Sequence, residues 1–285
     1  MKNEKLTHND FVKNIADQIK EKIANGCGDW VENFNRDGNF NLPTNSKGTF
    51  YKGVNILALL FAQLKNNYKS NQWMTFKQIK EIDGMVNKGE KSQVVFYFST
   101  FETIDKSTGL KETKFFAKQY RVFNISQTTL KDSEQNIVIN ANLQNVIDAH
   151  NPKIENHDIG RACYIPSLDI IKMPLAKYFK TDADYMATLT HEFSHWTLHE
   201  KRLNRTVDFS CKKSIAREEL TAEIGSCLLL KHFGIKGEVK NHEKYIESWM
   251  TDLTEKDFSD AVKQSVKVIS YILDVAENAE YQNVA

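Results

Sequence analysis

Two histidines four residues apart, His191 and His195, enclose Glu192 in the pattern His-Glu-x-x-His. Residues four apart lie one turn above each other on a helix, so both imidazoles can bind one metal ion. Glu192 is displaced by about 100° around the helix axis, where it can reach a water molecule on that ion. A carboxylate there can accept a proton from the water and pass it to a leaving nitrogen. The pattern therefore predicts a zinc-dependent, peptidase-like site.

A catalytic zinc site needs a third protein ligand and an open fourth position. The next predicted helix carries Glu219 and Glu223 one turn apart, so one can bind the ion while the other orients a ligand. We expect Glu219 to be the ligand and Glu223 to lie behind it, with Glu223 as the ligand if the register differs. His199 is an alternative, but three ligands on consecutive turns of one helix close tetrahedral geometry poorly. An orienting or structural role suits His199 better.

The pattern also occurs by chance in proteins that bind no metal, and a solvated helix face is the alternative for the two glutamates. Here the histidines fall within a helix that we predict from Thr181 to about Glu200, with Thr181 as its N-cap and Asp184 completing a capping box. A third histidine six residues after His195 would define the metzincin pattern, but Lys201 occupies that position. A glutamate as third ligand corresponds to the gluzincin-type arrangement.

Composition and charge are those of a globular protein of 285 residues, with 41% hydrophobic and 26% charged residues. Residues 1–130 hold 19 Lys and Arg against 13 Asp and Glu, whereas residues 131–285 hold 19 against 24. The basic half suits a polyanion and the acidic half a metal ion. The four cysteines form no CxxC pair, residues 1–10 show no signal-peptide pattern, and the longest apolar run is too short to span a bilayer. These features predict a cytoplasmic protein.

Periodicity and turn residues predict an α+β fold in both halves of the chain. In the first half they predict helices at 10–24, 54–64 and 75–82, a loop at 33–53, and a β-hairpin of 92–102 and 115–124 around a turn at 105–109. In the second half they predict short strands at 163–166 and 169–174, then helices at 181–200, 215–232, 242–249 and 257–278. We place a domain boundary between residues 135 and 136.

Several sequence blocks, taken in order, resemble the ArdC-type antirestriction proteins of conjugative plasmids and other mobile elements. In the first half these blocks are YKGVN at 51–55, WMTFKQ at 73–78, KGEK at 88–91 and YRVFN at 120–124. In the second half they are DIIKMP at 169–174, LTHEFSHWT at 189–197, RLNR at 202–205 and AREELTAE at 216–223. The resemblance covers nearly the whole chain.

The resemblance implies a single-stranded-DNA-binding domain at residues 1–135 and a zincin-like metallopeptidase domain at residues 136–285. It also implies one Zn²⁺ per chain, single-stranded DNA as a partner, a protein or peptide as the candidate substrate, and no membrane. Single strands are bound by basic grooves with aromatic platforms. The candidate DNA contacts in the first half are Lys52, Trp73, Lys77, Lys88, Lys91 and Arg121. For the aromatic residue the alternative is a position in the core.

Two other functions stay open at this point. One is a DNA-binding or decoy protein whose metal is structural and which performs no turnover. The other is an intracellular zinc peptidase with no DNA role. Glu192 argues against a purely structural metal, because such a site has no need of a base beside it. For a peptidase, we expect the substrate to lie extended along an edge strand near residues 170–173.

Overall fold

The computed structural model describes residues 6–24, 42–104, 110–130, 143–158, 160–235 and 253–282. Within these residues the fold is α+β, as predicted, with seven α-helices and two three-stranded sheets. The predicted segments 33–41, 105–109 and 242–249, and the predicted boundary between 135 and 136, lie outside the described residues. Among the helices of the described ranges, none combines the length and apolarity needed to cross a membrane.

The first half contains three helices and one sheet. Its elements are α1 (His8–Ala24), α2 (Asn55–Asn66), β1 (Trp73–Thr75), α3 (Phe76–Glu81), β2 (Gln93–Ile104) and β3 (Lys111–Asn124). The sheet order is β1-β3-β2, with antiparallel pairing throughout. The predicted hairpin is confirmed, and both of its strands are longer than the sequence pattern indicated. The strand β1 was not predicted.

Local polar contacts explain where the first-half elements begin. Thr75 and Gln78 form a capping box, in which the Thr75 hydroxyl accepts a hydrogen bond from the Gln78 amide at 3.3 Å. This pair fixes the start of α3, which lies within the predicted helix at 75–82. At the start of α2, the Asn55 side chain donates to the Phe96 carbonyl at 2.7 Å and accepts from the Phe96 amide at 2.9 Å. A single buried amide therefore joins α2 to the hairpin.

The second half contains a small mixed sheet and four helices. Its elements are α4 (Leu143–His150), β4 (Lys153–His157), β5 (Cys163–Ile165), β6 (Ile170–Pro174), α5 (Asp182–Trp196), α6 (Lys212–His232) and α7 (Glu255–Gln282). The sheet order is β4-β6-β5. The sequence reasoning missed α4 and β4, and it extended α5 to about Glu200, whereas α5 ends at Trp196.

The position of β6 corrects the predicted substrate edge. Strand β6 pairs with β4 on one side and with β5 on the other, so residues 170–173 occupy the centre of this sheet. A central strand has no free backbone edge to offer a peptide. The edge next to the site described below is β5.

The two halves share one hydrophobic core. Phe11, Ile15 and Ile19 of α1 belong to the same buried cluster as Phe258 and Ile269 of α7. The regular spacing of the α1 residues turns one face of the helix toward α7, which it contacts along its length. The first and last described helices therefore stabilise each other, although the first half also has two smaller buried clusters of its own.

Candidate metal centre

Two packed helices bring the candidate ligands together. Helix α5 begins after Thr181, whose hydroxyl accepts a hydrogen bond from the Asp184 amide at 3.1 Å. This confirms Thr181 as the predicted N-cap. The last two turns of α5 carry His191, Glu192 and His195, which are all buried. Helix α6 packs against α5 and supplies the glutamates that face the histidines.

Three ligand atoms form a small triangle. The Nε2 atoms of His191 and His195 are 3.1 Å apart, and the Glu219 Oε2 atom lies 3.3 Å from the first and 3.5 Å from the second. A tetrahedral ion with bonds of 2.0–2.1 Å holds its ligand atoms about 3.3–3.4 Å apart. Within the described part of the chain, these three residues are the His, Cys, Asp or Glu side chains whose ligand atoms lie close enough together to hold one metal ion. The geometry therefore fits a divalent metal.

A second carboxylate orients each imidazole. His191 Nδ1 lies 3.2 Å from Glu223 Oε2, and His195 Nδ1 lies 3.1 Å from Glu218 Oε1. An ionised carboxylate can only accept, so each Nδ1–H donates and each Nε2 turns its lone pair toward the triangle. Glu223 therefore lies behind a ligand, as expected, although the ligand that it contacts is a histidine.

Glu218 was not identified from the sequence, and Arg205 holds it in place. The Arg205 guanidinium donates to Glu218 Oε1 at 2.6 Å and to Oε2 at 3.0 Å. It also donates to the Thr197 hydroxyl and to the Ser194 carbonyl at the end of α5. One arginine thus fixes both the carboxylate that orients His195 and the last turn that carries this histidine.

The acidic surroundings make the site attractive to cations. Burial lowers the pKa of His191, but hydrogen bonds to Glu219 and Glu223 outweigh it and raise the value to about 9. The pKa of His195 is likewise raised, against the effect of burial, by Glu218 and Glu219. Burial raises the pKa values of Glu218 and Glu219, but their histidine partners lower them further, so both carboxylates are ionised at neutral pH. A metal ion must therefore displace a proton from the histidine pair.

Glu192 is outside the ligand triangle and is fixed by strand β5. The Tyr164 backbone amide donates to Glu192 Oε2 at 2.8 Å, which leaves the other carboxylate oxygen available. The Tyr164 hydroxyl donates to Asp169 at 2.8 Å, and Arg202 donates to both Tyr164 and Asp169. The Arg202 guanidinium also stacks 3.7 Å from the Trp196 ring at the end of α5. This network ties β5 to the helix that carries the motif.

A cavity of about 230 Å³ opens onto the triangle and Glu192. Strand β5 borders it with Cys163 and Tyr164. Apolar side chains form another part of its wall, namely Leu198, Val207, Phe209 and Ile215. Such a cavity has room for an apolar side chain next to the metal position.

His199, the alternative ligand, is not part of the triangle. Helix α5 ends before it, and its Nδ1 atom accepts a hydrogen bond from the Lys201 amide at 3.2 Å. The metal-competent group of the described residues does not include it. The alternative ligand role for His199 therefore has no support, because α5 ends at Trp196, and the preferred orienting or structural role stays a prediction.

The candidate DNA contacts have differing environments. Lys77, Lys88, Lys91 and Arg121 are exposed, and Lys52 is exposed but forms an ion pair with Asp274 of α7 at 3.1 Å. Trp73 is 1% exposed and packs with Leu59, Val95 and Val122. A base cannot stack on a ring enclosed on all sides, so Trp73 is a core residue and its assignment as a DNA contact is wrong. DNA contacts by the other residues stay predictions.

Comparisons with known proteins match both parts of the chain. Residues 9–123 match the N-terminal domain of the anti-restriction factor ArdC, and residues 141–263 match a zincin-like metallopeptidase. The metal-free crystal structure of the antirestriction ArdC protein from the R388 plasmid is 32% identical, with a TM-score of 0.75, and covers 94% of this chain and 98% of that one. The Mn(II)-bound structure of that protein is 30% identical, with a TM-score of 0.73 and the same coverage.

A curated relative matches over nearly the same length. A DNA primase TraC from Escherichia coli is 30% identical over 273 residues, which are 86% of this chain but only 25% of the primase. The chain thus spans about a quarter of that relative. The zincin-like match, the Mn(II)-bound structure and the ligand triangle together indicate a divalent metal site.

Proposed function

Because this chain belongs to the ArdC-type antirestriction protein family, we propose that it is an antirestriction protein of a mobile element that binds single-stranded DNA and hydrolyses peptide bonds at a zinc site. We assign one Zn²⁺ per chain to His191, His195 and Glu219, with water in the fourth position. The observation that carries the proposal is the convergence of these ligand atoms within 4.8 Å beside the carboxylate of Glu192. The proposed domains are residues 1–135 for DNA and 136–285 for hydrolysis.

The residues around the cavity suit peptide hydrolysis. Zinc bound at the triangle would lower the pKa of a coordinated water toward about 7. Glu192 would accept a proton from this water on its free carboxylate oxygen and donate it to the leaving nitrogen. The Tyr164 amide keeps the other oxygen in place during both transfers. A peptide extended beside β5 would reach both Glu192 and the apolar wall of the cavity.

The decisive experiment for hydrolysis replaces Glu192 by Gln in the full chain. The variant should retain about one zinc per chain, because Glu192 is outside the ligand triangle, and it should lose peptide hydrolysis. Elemental analysis of protein purified without chelator measures the metal, and cleavage of a denatured protein substrate, with and without single-stranded DNA, measures activity. Equal cleavage by wild type and variant would remove Glu192 from its proposed role.

The same variant separates the proposed function from its alternatives. Wild type and Glu192→Gln are compared for protection of an unmodified plasmid that enters a restricting host. Lost protection would connect hydrolysis to antirestriction. Full protection by the variant would instead favour a DNA-binding or decoy protein with a structural metal. Hydrolysis by wild type without any affinity for single-stranded DNA would favour a zinc peptidase with no DNA role.

A further inference from the structure

The hairpin of β2 and β3 extends beyond the rest of its sheet. Strand β1 pairs with β3 only at residues 122–124, whereas the β2–β3 ladder continues to Ile104 opposite Lys111. Part of this extension carries large aromatic side chains that water reaches. Tyr97 is 55% exposed, Phe98 is 50% exposed and Phe116 is 40% exposed. Exposed aromatic side chains that share one face of a sheet are typical of interaction sites.

The two faces of the hairpin have different surroundings. Residues directly opposite in an antiparallel ladder lie on the same face, and successive residues alternate between faces. Tyr97 is opposite Lys118, Val95 is opposite Tyr120, and Ser99 is opposite Phe116. We call the outer part of this face the aromatic face, defined by Tyr97, Phe116, Lys118 and Tyr120.

The opposite face is used by helix α1. Phe96 packs on Phe11, with ring centroids 5.1 Å apart, and Phe98 contacts the His8 ring at 4.7 Å. Contacts with the α1 segment therefore bury Phe96 and cover part of Phe98. The aromatic face lies on the other side of the sheet from these α1 contacts.

The aromatic face combines rings with a positive charge. The Tyr97 and Tyr120 rings meet edge to face with centroids 6.4 Å apart, and Lys118 Nζ lies 5.0 Å from the Tyr120 centroid. Glu102 belongs to the opposite face and is paired there with Lys111 at 3.2 Å. A phosphate on the aromatic face would meet a lysine beside an aromatic ring.

We propose that the aromatic face is where single-stranded DNA binds, a location that rests on the DNA role proposed above. Bases would stack on Tyr97 and Tyr120, and Lys118 would contact a phosphate. Stacking on protein rings is open to the bases of a single strand, whereas duplex bases are already stacked on each other. In this proposal Tyr97 and Tyr120 stack on bases, the role predicted for Trp73, whose ring is buried. Single-stranded DNA offers both groups that this face can bind, unpaired bases for the rings and phosphates for the lysine.

The experiment uses the full chain, because α1 of the first half packs on α7 of the second. Binding of a fluorescein-labelled oligothymidylate is measured by anisotropy at low salt. Tyr97→Ala should weaken binding about fivefold or more, since loss of stacking on one base costs about 1–3 kcal/mol. Phe98→Ala is the matched control, being on the same strand with similar exposure but on the opposite face, and it should bind like wild type. Thermal melting checks that both variants are folded.

A second variant tests the charge. Lys118→Gln should reduce the slope of log affinity against log salt by about 0.7, the contribution of one phosphate contact on a single strand. Tyr97→Ala should leave the slope unchanged while it lowers the affinity. Light scattering measures whether either change alters the oligomeric state.

The outcomes separate this inference from the proposed function. If wild type binds the oligonucleotide but Tyr97→Ala binds equally well, DNA binds elsewhere and the inference alone fails. An equal or larger loss with Phe98→Ala would move the site to the opposite face and also overturn it. A change of oligomeric state in Tyr97→Ala would identify the face as a contact between copies. No binding by wild type would defeat both the inference and the proposed DNA role.

Discussion

The metal centre and the aromatic face differ in the burial of their side chains and in the contacts that hold them. At the metal centre, buried side chains hold one another at hydrogen-bond distances, and each histidine has its own carboxylate. At the aromatic face, Tyr97, Phe116 and Lys118 are exposed and Tyr120 is half-buried, and ring contacts join Tyr120 to Tyr97 and Lys118. A buried site is therefore recognised by mutual distances. A surface is recognised by what the fold leaves uncovered and by its charge.

The largest expected effect is the loss of a ligand at the metal centre. His195→Ala removes one corner of the triangle and leaves Glu218 without its histidine partner. We expect the metal content to fall from about one ion per chain to near zero, because two side chains cannot replace three ligands at comparable affinity. Elemental analysis measures the change. His199→Ala is the matched control and should keep its metal; equal loss in both variants would contradict the ligand assignment.

The second prediction contrasts a core aromatic with a surface aromatic. Trp73→Ala should reduce the free energy of unfolding by about 3–5 kcal/mol, because the large buried side chain leaves a cavity. Tyr97→Ala should change it by only about 0.5 kcal/mol. Urea denaturation measures both, and the folded fraction of Trp73→Ala should bind single-stranded DNA with wild-type affinity. A DNA-binding defect in folded Trp73→Ala together with an unchanged stability would reverse the two assignments.

The third prediction concerns the carboxylates that orient the histidines. Glu218→Gln and Glu223→Gln should each weaken metal binding by about 10–100-fold, as the loss of an orienting partner commonly does. The exposed Glu200→Gln serves as the control for the loss of one negative charge nearby. Competition with a chromophoric chelator measures the affinities. Wild-type affinity in Glu218→Gln would show that Arg205 and Glu218 support the loop without acting on the ligand His195.

The fourth prediction is a pH dependence that metal should abolish. In the metal-free protein the pKa of His191 is about 9, above its ordinary value of 6.5. Burial lowers this pKa, but the hydrogen bonds that His191 donates to Glu219 and Glu223 raise it by more. A raised histidine pKa stabilises the fold fully below about pH 6.5 and loses this contribution as the pH rises toward 9. The melting temperature of chelator-treated protein should therefore fall from pH 6.5 to 9. Metal-loaded protein should lack this decline, and parallel curves for both forms would contradict the proposed competition between metal and proton.

The sequence pattern predicted correctly those features that depend on a single helix or hairpin. The spacing of His191 and His195 placed both imidazoles on one side of α5, and Thr75 and Thr181 marked the starts of their helices. Two segments rich in Val, Phe and Tyr around a polar turn identified the hairpin. The end of α5 was missed because Arg202 and Arg205, which contact its last residues, belong to a loop whose path the helical pattern does not reveal.

The sequence by itself determined the α+β fold class, the family resemblance and the two histidines with their neighbouring glutamate. Only the tertiary structure decided between the two glutamates that the sequence offered, since Glu219 forms the third corner of the triangle while Glu218 and Glu223 each face a separate Nδ1 atom. Adjacent residues of a helix differ by about 100° in direction, so three glutamates on α6 can be assigned only after α6 has docked on α5. Tertiary structure also decided that Trp73 is buried and Tyr97 is exposed, because the burial of an aromatic ring depends on distant elements that pack against it.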